Sequence, residues 1–231
     1  MSSAAISLSR ASRFYDAPIG KKVIMAVTGV MLFGFVVAHL IGNLQIYLPP
    51  DAVTGRYKID DYGEMLHHLG GILWVARIVL LSAVVLHVVT AVQLTLQANA
   101  ARPIGYQKKD NAHSSYASRT MIWSGPIIGV FIVYHLLHFT GGQVHPNFKF
   151  LSVHHNVVAG FKDPLASLFY IVAMAMLGTH LYHGLWSMFQ SVGVSHPRYT
   201  PAIKLFAKLA AAVLVLGNIS IPISVMVGLV N

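Results

Sequence analysis

The sequence predicts an all-α integral membrane protein, a bundle of five transmembrane helices with residues 1–231 as a single domain. Two observations carry that prediction. Hydrophobic residues make up 55% of the 231 and charged residues only 10%, against about 25% charged in an average soluble domain. Five windows free of Asp, Glu, Lys and Arg are also long enough to cross a bilayer, for which about 20 apolar residues suffice. The same composition, with a mean hydropathy of +0.64, excludes a soluble globular domain, a disordered chain and a collagen-like one. Cysteine is absent, which excludes disulfides, Cys-held zinc, iron–sulfur clusters and thiol chemistry in this chain. Strict alternation over ten-residue segments is missing, which argues against a β-barrel. No period of about 20–50 residues repeats, which argues against a solenoid.

In chain order, residues 1–20 read as a polar, partly interfacial N-terminus, where Arg10, Arg13, Phe14 and Tyr15 suit a headgroup layer. Val23–Leu48 is the first charge-free window and predicts a span over 22–48. It is too long for a cleaved signal, and no A-x-A-like site follows before Pro49 and Pro50. Ile78–Ala101 is the second window. Admitting Arg77 to the first turns extends it back to Gly71 and predicts a span over 71–98. Thr120–Val144 predicts 119–142. Pro164–Val194, at 31 residues, overshoots one span and is expected to include a loop after 164–190. Leu209–Asn231 predicts 204–229.

Orientation follows from Lys and Arg. The N-terminus and the loops after spans two and four hold eleven: Arg10, Arg13, Lys21, Lys22, Arg102, Lys108, Lys109, Arg119, Arg198, Lys204 and Lys208. The opposite loops hold four: Arg56, Lys58, Lys149 and Lys162. The N-terminus is therefore expected in the cytoplasm and the C-terminus outside, which in a bacterium means the plasma membrane. The net charge of +9 reads as loop orientation and contact with lipid headgroups, not nucleic acid.

Thirteen histidines outnumber the seven acidic residues. Four lie deep inside spans. His39 is sixteen residues after Val23, His87 sixteen after Gly71, His135 fifteen after Thr120 and His180 sixteen after Pro164. At 1.5 Å per residue each lies about 23 Å into its span, near the far side of a core about 30 Å thick. Successive spans run antiparallel. His39 and His135 then share an outer layer, and His87 and His180 an inner one. A single intramembrane histidine also serves to bond a neighbouring helix. Four at matched depth point to function. Two imidazoles on facing helices are what a b-type haem takes as axial ligands, so two layers imply two stacked b haems. A zinc or copper site fits less well, because the layers cannot meet at one metal.

Spacing alone leaves His135 or His138, and His180 or His183, undecided, since residues at i and i+3 share a face. His67, His68, His113, His145, His154, His155 and His196 lie in loops or at span ends and mostly read as solvated or interfacial. Thr28-Gly29, Gly34, Ser124-Gly125, Gly129, Gly178 and Gly184 offer small side chains for close approach of a backbone or a flat ligand. Arg77, Arg119 and Lys204 sit near span ends, where they anchor the interface or meet haem propionates.

Several segments occur in a telling order: Val37-Ala38-His39-Leu40-Ile41-Gly42-Asn43, Val85-Leu86-His87, Arg119-Thr120-Met121 to Ser124-Gly125, Tyr134-His135-Leu136 and His180-Leu181-Tyr182-His183-Gly184-Leu185-Trp186-Ser187. In this the chain resembles the cytochrome b subunit of succinate dehydrogenase and fumarate reductase, the type with one five-helix, di-haem membrane anchor. The resemblance implies His180 as the fourth ligand, four residues before Gly184-Leu185-Trp186, and His135 as the third, ten after Gly125. It implies that His87 and His180 hold a proximal haem near the cytoplasm and that His39 and His135 hold a distal one. It implies a flavoprotein and an iron–sulfur subunit docked on the cytoplasmic side, and a quinone, usually menaquinone, reduced near the distal haem. Glu64 is the nearest match for a carboxylate associated with quinone reduction in some members, and a solvated loop acid is the plainer reading of it. The chain has no G-x-G-x-x-G loop and no Cys, so it is not expected to oxidise succinate itself.

The competing readings are a cytochrome b anchor of another quinone-linked dehydrogenase or reductase, and a non-haem, proton-coupled transporter. On position alone, Arg102–Arg119 and Gly193–Lys204 are the expected contacts with the soluble subunits. Asp60–Gly71, with Glu64, His67 and His68 as proton-passing groups, is the expected neighbourhood of the quinone.

Overall fold

Proline stands in the first turn of three of the long helices. The structure, a computed structural model, describes residues 15–101 and 116–231, with side chains from Thr120 onward in the second stretch. Arg10, Arg13, Phe14, Arg102, Lys108, Lys109 and His113 lie outside the described residues, as does the side chain of Arg119. Among the described residues there is no strand. The helices are α1 (Pro18–Asn43), which runs on into a 3-10 turn (Leu44–Tyr47), α2 (Lys58–His68), α3 (Gly71–Ala100), α4 (Tyr116–His135), which closes in a π-helical turn (Leu136–Thr140), α5 (Val153–Phe161), α6 (Pro164–Ser191) and α7 (Thr200–Met226). Five are long and apolar enough to span a membrane: Pro18–Tyr47, Gly71–Ala100, Thr120–Thr140, Pro164–Ser191 and Thr200–Met226.

The differences from the predicted bounds have local causes. The first span starts earlier because Lys21 is buried, its Nζ donating to the Asp16 carbonyl at 3.1 Å. A charge-free window stops short of it. Tyr15 donates to Gln93 Oε1 at 3.0 Å and ties the N-terminal segment to α3. Pro164 opens α6, and Asp163 caps it by accepting from the Leu165 N–H at 2.9 Å. The loop expected within 164–194 shrinks to a turn: α6 runs unbroken to Ser191, and Gly193 at φ +86° supplies the left-handed residue that ends it. α7 begins at Thr200, with Lys204 and Lys208 inside the helix. Lys204 extends over the Trp186 ring at 4.7 Å, so its charge sits at the helix end without breaking the span.

The segments expected as plain loops contain α2 and α5. α2 carries Asp60 and Asp61 in its first turn and His67 and His68 in its last, the charge order that complements a helix dipole. The His154 N–H at the start of α5 donates to Asp60 Oδ1 at 2.8 Å, and the Tyr57 ring stacks on His154 at 3.4 Å. These two helices cap one end of the bundle. The main apolar core lies beneath them, built from Ile46, Ile59, Val158, Phe161, Tyr170, Ile221, Val225 and Val230.

α6 is central, packing on α7, α4 and α1. α3 packs principally on α1, and α4 on α6. α3 is apolar all round, with Ile72, Val75, Ile78, Leu81 and Val85 exposed, as a helix wrapped in lipid is. The α6–α7 seam is closest at Gly178, where an added Cβ would stand 2.5 Å from Val215 Cγ2. Valine is stiff at χ1 and cannot swing aside. Gly178→Ala is therefore expected to cost about 1–3 kcal/mol by overpacking and to lower the thermal midpoint in detergent. Adding Val215→Ala should return part of that loss, the sign of direct coupling in a double-mutant cycle.

Candidate functional site

Two imidazole pairs form inside the bundle. His87 on α3 faces His180 on α6 with ring centres 6.3 Å apart. His39 on α1 faces His135 on α4 at 5.7 Å. The four rings come from four of the five long helices, as the depth argument expected. The ring that meets His39 is that of His135, while His138 turns towards Tyr170 and His145. The ring that meets His87 is that of His180, while His183 lies edge-on to Trp186 at 5.4 Å.

Hydroxyl groups hold these rings from behind. Thr28 Oγ1 lies 3.0 Å from His87 Nδ1 and donates its own proton to the backbone, with the Ile24 carbonyl at 2.8 Å. Its lone pair is thus left to accept from Nδ1–H, which frees His87 Nε2 on the other side of the ring. Ser124 Oγ repeats the arrangement, 3.4 Å from His180 Nδ1 and within 3.4 Å of the Met121 carbonyl. Tyr170 OH lies 3.3 Å from His135 Nδ1. His39 packs under Phe35, ring on ring, at 5.4 Å. Sequence reasoning counted Thr28 and Ser124 only as small residues and passed over Tyr170. A usable signal was present: Thr28 precedes His39 and Ser124 precedes His135 by the same eleven residues, and each hydroxyl is followed by glycine. Eleven residues of helix rise about 16 Å, which sets the two pairs apart along the bundle.

The residues fit a haem at each pair. With metal–imidazole bonds of about 2 Å, a metal would fit between two imidazoles whose ring centres are 6.3 and 5.7 Å apart, as in the two pairs here. Nitrogen Nδ1 held by a neighbour and Nε2 left free is how protein ligands present an imidazole to a metal. Each pair also bridges helices that do not pack closely on each other, α3 with α6 and α1 with α4. Around them, a Cβ at Gly34, Gly125, Gly129 or Gly184 would meet nothing within 4 Å, and one at Gly29 would stand 3.6 Å from His87 Cε1. On the same helices as His87 and His180, Thr90 Oγ1, His183 Nδ1 and Trp186 Nε1 are buried without a hydrogen-bond partner among the described residues. Among the described residues no three His, Asp or Glu side chains gather to hold a metal ion by themselves. Two opposed imidazoles complete a metal whose other ligands come from a porphyrin.

No family model matches the chain, and no curated protein or solved structure matches it.

At the capped end the candidate carboxylate is exposed. Glu64 pairs with Arg56, which also meets Asp61 at 3.0 Å, and His68 Nε2 lies 3.6 Å from Glu64 Oε1. His67 sits edge-on to Phe150 at 5.2 Å. Two of the histidines that mostly read as solvated or interfacial are packed here. His154 is buried against Tyr57, and burial holds it below the usual imidazole range. His145 Nε2 lies 2.8 Å from the Asn156 carbonyl. Arg77 covers the Trp74 ring at 5.0 Å.

The Arg56 hydrogen bond and charge hold Glu64 below the ordinary carboxylate range, with a smaller effect of His68 in the same direction. Glu64 is therefore ionised at neutral pH and takes up a proton only in stronger acid than a free glutamate needs. Arg56→Leu should raise its titration midpoint, followed by the carboxyl C=O band in infrared difference spectra. An unmoved midpoint would mean that the ion pair does not control Glu64.

Proposed function

We propose that this chain is the cytochrome b membrane-anchor subunit of a succinate:quinone oxidoreductase (complex II), with His87/His180 and His39/His135 each holding a b haem. The observation that carries the reading is the pair of opposed imidazoles at two depths, each pair with at least one Nδ1 held by a hydroxyl. A haem bound at each pair supplies one-electron chemistry at two levels of the bilayer. The chain's residues orient the ligands: Thr28 and Ser124 fix the rings of the pair nearer the N-terminus, and Tyr170 fixes that of His135. Apolar spans keep water from both pairs.

The Lys and Arg distribution supports an N-terminus in the cytoplasm of a bacterial cell and docking of the flavoprotein and iron–sulfur subunits at that end. Gly193–Lys204 lies there, and Arg102–Arg119 is the other contact proposed from the sequence. The capped end then faces outward and supports quinone reduction, with menaquinone as the proposed substrate. Two protons are needed per quinone. Glu64, with His68 beside it, is the proposed proton-passing group there, and because the Arg56 pair holds it ionised, that pair must open for Glu64 to take up a proton.

Pyridine haemochrome analysis of the purified chain should give about two haems per polypeptide. His87→Ala and His180→Ala should remove one haem, and His39→Ala and His135→Ala the other, while His138→Ala and His183→Ala retain both. Glu64→Gln should stop quinone turnover and leave both haem spectra unchanged. A reduced-minus-oxidised spectrum without b-type bands would reject the reading in favour of a proton-coupled transporter.

A further inference from the structure

His138 is 1% exposed, among the most buried large side chains in the protein, and the pairing of imidazoles does not use it. Its Nδ1 lies 3.1 Å from Tyr170 OH, the same hydroxyl that lies 3.3 Å from His135 Nδ1. Tyr170 has one proton to donate. If His135 offers Nε2 to a metal, its proton sits on Nδ1 and must be donated to the phenol oxygen. The phenol O–H is then directed to His138 Nδ1, whose proton sits on Nε2. One direction of hydrogen bonding runs through three residues and sets the tautomer of each.

The backbone is shaped for this contact. Directly after His135 the helix widens into the π-helical turn Leu136–Thr140, and the Gly141 N–H donates to the Leu136 carbonyl at 2.8 Å. Such turns concentrate at functional positions. Here the turn carries His138 to the hydroxyl that also serves His135. Tyr134, Phe139 and His145 pack around the His138 ring at 5.3, 4.2 and 4.9 Å and hold it there.

We propose that Tyr170 and His138 are positioning residues that act through His135, tuning the basicity of this ligand and so the redox potential of the pair at the capped end, separately from the other pair. The inference rests on the proposed haem function. A ligand that donates Nδ1–H to a strong acceptor is more basic and favours the oxidised metal. The phenol oxygen is a stronger acceptor because its own proton is donated to His138. Thr28 and Ser124, on other helices, stand behind the His87/His180 pair instead, so a change at Tyr170 leaves the hydroxyls of that pair in place.

The test is a potentiometric titration of the b-type bands in full-length protein. Tyr170→Phe removes only the hydroxyl. It should keep the wild-type haem content and move one of the two components to a more positive potential. His138→Phe should move the same component the same way by less, and the double variant should match Tyr170→Phe alone. Thr28→Val should move the other component. Should Tyr170→Phe not retain its haem, His138→Phe must still give the shift. Full haem content with both potentials unmoved overturns this inference and leaves the haem reading standing. Movement of the same component by Tyr170→Phe and Thr28→Val also overturns it. Absence of b-type bands in the wild type overturns both readings.

Discussion

The hydrogen bond from an imidazole Nδ1 to a hydroxyl on a neighbouring helix is the interaction on which the candidate site depends. An unpartnered polar nitrogen in an apolar bundle is costly, and a ring free to turn presents neither nitrogen in a fixed direction. Thr28 solves both problems with a single atom, because its proton is given to the Ile24 carbonyl at 2.8 Å, and Ser124 stands in the corresponding place behind His180 at 3.4 Å. With Nδ1 held by the hydroxyl, Nε2 of His87 is left free, and the His87 and His180 ring centres stand 6.3 Å apart.

The helix arrangement follows from the same requirement. α1 and α4 act as two uprights, each carrying a hydroxyl for one layer and a ring for the other, eleven residues further on. α6 sits between its neighbours and supplies both His180 and Tyr170, so one helix serves the two layers. Its buried face includes the small residues Ala166, Ser167, Ala173 and Gly178, and at Gly178 it lies against Val215 of α7. α3 packs principally on α1 and leaves Ile72, Val75, Ile78, Leu81 and Val85 exposed, as a helix bordering lipid does.

Much of this was legible in the sequence. Charge-free windows located all five long helices, and depth counting placed four histidines in two layers that the structure assembles as His87 with His180 and His39 with His135. Spacing alone did not offer His135 over His138, since both share a face; in the structure it is the His135 ring that faces His39, while His138 lies in the π-helical turn beside His145. The hydroxyl contacts span 59, 56 and 35 residues of sequence, so no local pattern announces them. α2 and α5 escaped because a search for apolar windows discards short amphipathic helices. The packing of His145 and His154, among the histidines that mostly read as solvated or interfacial, depends on the Asn156 carbonyl and the Tyr57 ring, neither of which can be placed beside them without the fold.

The central claim is that each imidazole pair ligates one haem iron from both sides. Electron paramagnetic resonance of the oxidised, purified chain reads that ligation without reference to any partner subunit. Two low-spin ferric species in equal amount, one lost in His180→Ala and the other in His135→Ala, is the predicted result. A high-spin ferric signal in the wild type, a single low-spin species, or no ferric haem signal would contradict it.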